Sequence, residues 1–231
     1  MKARELFLQV SAILQDMIPD ARRWPWEKQA DESDVSLVDL FNSALFEIAM
    51  NRPDATAVTE SIKLETGARQ LIPDPALHQS SKKALRLLEV VQNMGSDGHT
   101  AGEPIFATAR DALKTADWSK DGIEIDNYAY DAKTNPQVYY VLPAVAKDKD
   151  VWVEATYSAI PDAIASPDDA LPVSEVYSGA IIHWMLYKIF AGDNGDANAA
   201  KAQHHLTAFY QTLGVKLKAD LFFPVQVQEA E

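Results

Sequence analysis

Apolar positions in the first segment, Ala3 to Met17, fall at Leu6, Val10, Ile13, Leu14 and Met17. Steps of three and four put them on one stripe of a helix, which Ile18-Pro19-Asp20 stops. A second helix is predicted from Asp34 to Met50, with Leu37, Leu40, Phe41, Ala44, Leu45 and Ile48 on its buried side. Ser33 or Asp34 suits its N-cap, and Pro53 ends it by disfavouring helical backbone at Arg52. Between the two lies an aromatic and basic corner, Arg22-Arg23-Trp24-Pro25-Trp26.

The period then shortens. Thr56 to Leu64 alternates in a strand-like way, Glu65-Thr66-Gly67-Ala68 reads as a turn, and Arg69 to Ile72 as the returning strand of a hairpin. Leu85 to Met94 reads as a strand closed by Gly95-Ser96-Asp97-Gly98. Ala107, Ala109, Ala112 and Leu113 favour a short helix around Ile105 to Trp118. Further strands are predicted at Asn127 to Tyr130, Val138 to Leu142 and Val151 to Ser158, rich in aromatic and β-branched side chains. After a Pro, Asp and Ala linker from Pro161 to Pro172, Ser174 caps a helix to about Phe190. A last helix runs from about Ala197 to Leu213 and ends at Gly214.

The expected fold class is α+β. Residues 1–55 and 173–220 are read as a helical bundle. A central antiparallel β-rich domain, residues 56–160 with one short helix, is inserted into it, and residues 221–231 form a C-terminal arm.

Charge narrows the partners. The 231 residues carry 21 basic and 34 acidic side chains, a formal net charge of −13, which argues against gripping a phosphate backbone through a basic face. With no cysteine, disulfides, thiolate metal sites and a cysteine nucleophile drop out together. No apolar run approaches the roughly 18 residues of a membrane span, so no membrane partner is expected. The start Met1-Lys2-Ala3-Arg4-Glu5-Leu6 lacks the apolar stretch of a signal peptide, so synthesis in a cytoplasm is expected.

Catalytic patterns are missing. The chain has no Gly-x-x-x-x-Gly-Lys, Gly-x-Gly-x-x-Gly, Gly-x-Ser-x-Gly or His-Glu-x-x-His. A serine nucleophile would have only His78, His99, His183, His204 or His205 as its base, and none sits in a local signature. Asp193-Asn194-Gly195-Asp196 has oxygen ligands for a calcium ion but not the spacing of an EF-hand loop, and reads as a helix–helix turn. His204 and His205 point about 100° apart on a helix, cannot easily share one metal and read as surface or boundary residues. The acid pairs Asp168-Asp169 and Asp31-Glu32 suit helix starts and solubility better than a glycosidase cleft. The expectation is no enzyme, no cofactor and no metal.

Binding leaves more candidates. Tyr128, Tyr130, Tyr139, Tyr140, Trp152 and Tyr157 form either a sugar platform or the core of a sheet. Trp24 and Trp26 are either core staples or an interface anchor.

The order of landmarks carries a resemblance. Leu14-Gln15-Asp16, Arg23-Trp24, and a helix leading to Asn51-Arg52-Pro53-Asp54-Ala55 are followed by Thr59-Glu60-Ser61 and Gly67-Ala68-Arg69-Gln70. Then come Leu85 to Gly95, Tyr130-Asp131, Asn135-Pro136, Val138 to Pro143, Tyr157 to Pro161 and the C-terminal helix pair. Taken together, to about Asp220, this resembles the podovirus head-to-tail adaptor family, the connectors like tail tubular protein A. Two stretches depart from it: Trp24 to Gln29 looks longer and more polar than usual, and Leu221 to Glu231 looks like an extra or variable tail.

The resemblance implies a structural virion protein at the head-to-tail interface of a short tail, made in the host cytoplasm. Its partners would be the portal protein, the tail nozzle protein and itself, in a closed ring of about twelve. DNA would pass through without specific binding, and an acidic wall suits that passage. Within this reading Leu221, Phe222, Phe223, Pro224 and Val225 form an arm for the portal or a neighbouring subunit, or else fold back along their own helices. The Gly95 to Pro104 loop, with Gly95, Asp97 and His99, either meets the nozzle or is simply a slack loop. The alternative function is a virion carbohydrate-binding tail module that uses the aromatic sheet.

Overall fold

The computed structural model describes residues 1–18, 22–27, 35–78, 80–114, 121–192 and 196–214. Its chain order is α1 (Ala3–Ile13), α2 (Leu37–Asn51), β1 (Ala57–Lys63), β2 (Gly67–Leu71), β3 (Ala84–Asn93), β4 (Phe106–Ala107), β5 (Asp121–Gly122), β6 (Asn127–Tyr130), β7 (Val138–Val145), β8 (Trp152–Ala159), α3 (Ser178–Ala191) and α4 (Asp196–Thr212). The mixture is compatible with the α+β class. Contacts divide the chain into two compact units, Met1–Asn51 with Pro161–Glu231, and Arg52–Ile160.

In the first unit Leu6 and Val10 of the expected α1 stripe are buried, while Ile13 and Met17, placed on it by the same spacing, are exposed because they lie at and beyond the end of α1. Leu6, Phe7 and Val10 of α1 and Phe41, Ala44 and Ile48 of α2 are fully buried. Phe7 meets Phe41 edge-on with ring centroids 5.9 Å apart. Trp184 of α3 packs on Phe209 of α4 at 5.0 Å and donates its indole N–H to Ser43 Oγ of α2 at 3.1 Å.

Helix ends differ from the sequence expectation for local reasons. α1 stops at Ile13, four residues short of Met17, because Gln15 takes a left-handed backbone at φ 58°. The Gln15 N–H then donates to Ala12 O at 3.1 Å and the Asp16 N–H to Ser11 O at 2.8 Å, a closing motif usually given to glycine. α2 starts later than Asp34. Ser36 Oγ accepts the Asp39 N–H at 3.2 Å while the Asp39 carboxylate accepts the Ser36 N–H at 3.0 Å, a reciprocal cap. Ser33 and Asp34 lie outside the described residues.

The second unit holds two sheets, β1-β8-β3 and β2-β7-β6-β4, with β5 also paired to β7. Ile62, Leu87, Val90, Ile125, Tyr139, Val141, Val153 and Tyr157 fill its core. Three expectations are corrected here. The first is the hairpin between Thr56–Leu64 and Arg69–Ile72, which does not form: β1 pairs with β8 and β2 with β7. Gln70, buried, explains the corner. Its Oε1 accepts the Glu65 N–H at 2.8 Å, and its Nε2 donates to Glu65 O at 2.7 Å and Gly67 O at 2.9 Å. Gly67 supplies the positive φ of 98° that lets the chain leave one sheet for the other.

The second correction is the helix over residues 105–118. It opens instead as β4, with the Phe106 N–H donating to Asp126 O at 3.0 Å and the Thr108 N–H to Tyr128 O at 2.8 Å. A 3-10 turn, Arg110–Lys114, follows, and residues 115–120 lie outside the described set. Alanine propensity is a weak prior, and a sheet ladder beside buried Ile105 overrides it. The third is sheet sense, because β4 joins β6 and β5 joins β7 in parallel.

Candidate functional site

The Trp24–Trp26 corner is built from both sides. The Asp16 carboxylate, just past the end of α1, accepts the backbone N–H groups of Arg23 at 3.0 Å and Trp24 at 2.9 Å. The carbonyls of Pro25 and Trp26 accept the Leu37 and Val38 N–H groups at 2.8 and 3.1 Å, so the corner satisfies the otherwise orphaned first turn of α2. Trp26 donates its indole N–H to Ser11 Oγ at 3.1 Å and stands edge-on to Phe7, while the Arg22 guanidinium covers its ring at 4.1 Å. Trp26 is thus held, half-buried, against α1. Trp24 faces a cleft of about 450 Å³ with Ile13, Leu14, Phe190, Arg23 and Lys201 on its walls.

The loop after β3 is not slack. The Asp97 carboxylate accepts the His99 N–H at 2.9 Å, the Thr100 N–H at 3.0 Å and the Thr100 hydroxyl at 3.0 Å. These bonds, led by that from His99, hold Asp97 below the usual carboxylate range. Gly98 O accepts the Ser61 hydroxyl at 2.7 Å, and Gly98 at φ 75° lies against the Trp152 ring so closely that a Cβ would sit 2.9 Å from it. At the base of the loop buried Asn93 donates from Nδ2 to Glu103 O at 3.1 Å and Ile125 O at 2.8 Å. Its Oδ1 accepts the Ile125 N–H at 2.8 Å. Gly95, Asp97 and His99 therefore belong to one fixed projection of the second unit, while Trp24 and Trp26 belong to the first. Leu221, Phe222, Phe223, Pro224 and Val225 lie outside the described residues.

The aromatic strand residues divide between core and surface. Tyr128, Tyr139 and Tyr157 are buried in the core, and Tyr130, Tyr140 and Trp152 are half-buried. The Tyr157 hydroxyl donates to Glu60 Oε1 at 2.5 Å; burial first, and then that carboxylate, push it up to about 12. The acid pair is absorbed locally as well. Asp168 pairs with Arg4 at 3.0 Å, and Asp169 accepts the Ala165 and Ser166 N–H groups at 2.9 Å each. Asp31-Glu32 and Asp193-Asn194-Gly195 lie outside the described residues. Among the described residues no group of three or more potential ligands is placed to hold a metal, and no helix is long and apolar enough to cross a membrane.

Two features escaped the sequence reading. His205, read as a surface or boundary residue, is half-buried and pairs with His183 across α3 and α4. Asp16 carries no signal of its own, although its bond to the Arg23–Trp24 backbone ties together two of the landmarks that carried the resemblance.

No curated protein matches the chain. The family model described as SU10 adaptor protein matches residues 1–228. Leu221 to Glu231 is thus no addition to the family pattern, since all but its last three residues fall inside the match. The family is one of structural phage proteins, which makes this chain a virion component. With the family pattern running through both compact units, the chain belongs to the SU10 adaptor family of phage head-to-tail adaptors.

Proposed function

We propose that the protein closes into a ring of about twelve copies between the portal and the tail nozzle of a short-tailed phage, leaving a channel for DNA during ejection. The observation that carries this reading is the family match over residues 1–228. The net charge of −13 supports it: a wall that repels phosphates lets DNA slide. In this reading the terminal helices, 1–55 and 173–220, act as a bundle that carries the 56–160 domain. Trp24 is an interface anchor, and Trp26 holds the corner that presents it. The fixed loop carrying Gly95, Asp97 and His99 meets the nozzle, since a pre-formed projection loses little entropy on docking. Leu221-Phe222-Phe223-Pro224-Val225 is the arm that docks on the portal or a neighbouring subunit.

Removal of residues 221–231 separates the arm from the rest. Sedimentation velocity of the truncated protein, mixed with the portal of its own phage, should show binding weakened at least about tenfold, equivalent to roughly 1.4 kcal/mol. Helical content and Tm should match those of the full chain. Unchanged portal binding would rule out docking of the arm on the portal but not the ring.

A further inference from the structure

Neither the adaptor fold nor its docking surfaces call for a half-buried histidine pair, yet α3 and α4 are joined by one. His183 Nδ1 and His205 Nδ1 lie 3.0 Å apart, with ring centroids separated by 5.3 Å. At that distance one nitrogen must donate and the other must present its lone pair, so the bond survives only while at least one imidazole is neutral. Phe190 stacks on His205, nearly parallel and 5.7 Å away, and His204 stands edge-on to it at 5.4 Å.

The surroundings offer a second proton no compensation. His204 and Lys201 are the titratable or charged neighbours on α4, and Lys201 Nζ lies 5.2 Å from the centre of the Phe190 ring. On α3 the neighbours of the pair are the Phe190 ring and, further along, Lys188, whose ammonium lies over Trp184 and Tyr187. Past the end of α1, Asp16 and Arg23 line the same cleft as Phe190 and Lys201, and the Asp16 carboxylate is bonded to the Arg23 and Trp24 N–H groups.

We propose that the His183–His205 pair is an acid-sensitive clasp that holds the first half of α4 on α3 at neutral pH and releases it when both rings are protonated. The opening is local, because fully buried Phe209 anchors the second half of α4 and buried Leu213 follows directly after it. Burial, followed by the neighbouring histidines, lowers both groups below the ordinary histidine value of 6.5. Unfolded or opened chain therefore takes up protons that the closed clasp refuses. The stabilisation is complete above that ordinary value and is lost as pH falls below it, through the lowered values of the closed clasp. The clasp is independent of the ring reading and holds for the isolated subunit.

Hydrogen exchange of the full chain at pH 7.5 and pH 5, corrected for intrinsic exchange rates, tests it. Protection across residues 196–206 should fall by roughly tenfold or more in acid, while residues 207–213 change little. A His183→Phe, His205→Phe double variant, with rings that pack without titrating, should lose that pH dependence. If this variant does not fold, NMR titration of the wild-type imidazoles decides, because the clasp requires two coupled titrations below 6.5. Equal protection at both pH values, the same acid loss in the double variant, or independent titration near 6.5 would overturn the clasp.

Discussion

Asn93→Ala should destabilise the protein by about 3–4 kcal/mol, the largest single effect expected outside the apolar cores. Asn93 is 4% exposed, and its amide is the partner of both the N–H and the C=O of Ile125, which is itself buried. Alanine leaves both backbone groups without that partner in the core, at about 1–3 kcal/mol each, and removes a third bond to Glu103 O. Chemical denaturation of wild type and variant measures the difference. Asn93→Asp should fare little better, because its second oxygen would face the carbonyls that the Asn93 amide now bonds. A loss under about 1 kcal/mol for Asn93→Ala would mean that water or a backbone shift replaces the amide.

Gly98→Val should cost about 2–3 kcal/mol and displace the loop from Trp152. Two terms act at this position. A branched side chain at φ 75° is strained, and its Cβ would sit 2.9 Å from Trp152 Cδ2 and 3.0 Å from Cε3. Gly214→Ala separates them. Gly214 has a similar φ of 68° but open space around it, so its loss should stay near the conformational cost of about 1 kcal/mol. Thermal unfolding of the two variants reads the difference, and Trp152 fluorescence reports the displacement. Equal losses at the two positions would show that Trp152 yields without cost. Since the loop is proposed to meet the nozzle, Gly98→Val should weaken nozzle binding and leave portal binding intact.

The parts of the fold that were legible in the sequence are those whose cause is periodic. Leu6 and Val10 in α1 and Phe41, Ala44 and Ile48 in α2 sit where their spacing puts them, fully buried. Strands β3, β6 and β8 lie within a residue or so of their expected bounds because β-branched and aromatic runs need a pleated, half-buried surface. The misread parts have causes that no period carries. Gln70 uses one side chain to turn Glu65 and Gly67 out of a hairpin, and nothing local distinguishes it from a surface glutamine. Ala107 belongs to an alanine-rich stretch but is held by β6, whose residues lie some twenty positions later. Gln15 ends α1 in a conformation that sequence rules reserve for glycine or asparagine.

The candidate sites divide in the same way. Gly95-Ser96-Asp97-Gly98 announced a turn, while its rigidity depends on Ser61 and Trp152, far along the chain. The Trp24-Pro25-Trp26 corner was visible as a cluster, but the separation of its roles was not. Trp26 is committed to Ser11 and Phe7, and Trp24 is left to the cleft. His183 and His205 stand 22 positions apart, and only the packing of α3 on α4 brings their rings together.

The ring between portal and nozzle is tested most directly by electron microscopy of the protein mixed with the portal of its own phage, beside each component alone. A closed ring of added density against one face of the portal, with rotational order that can be counted, is the predicted result. Separate, unbound particles at micromolar concentrations, with the portal unchanged, would contradict it.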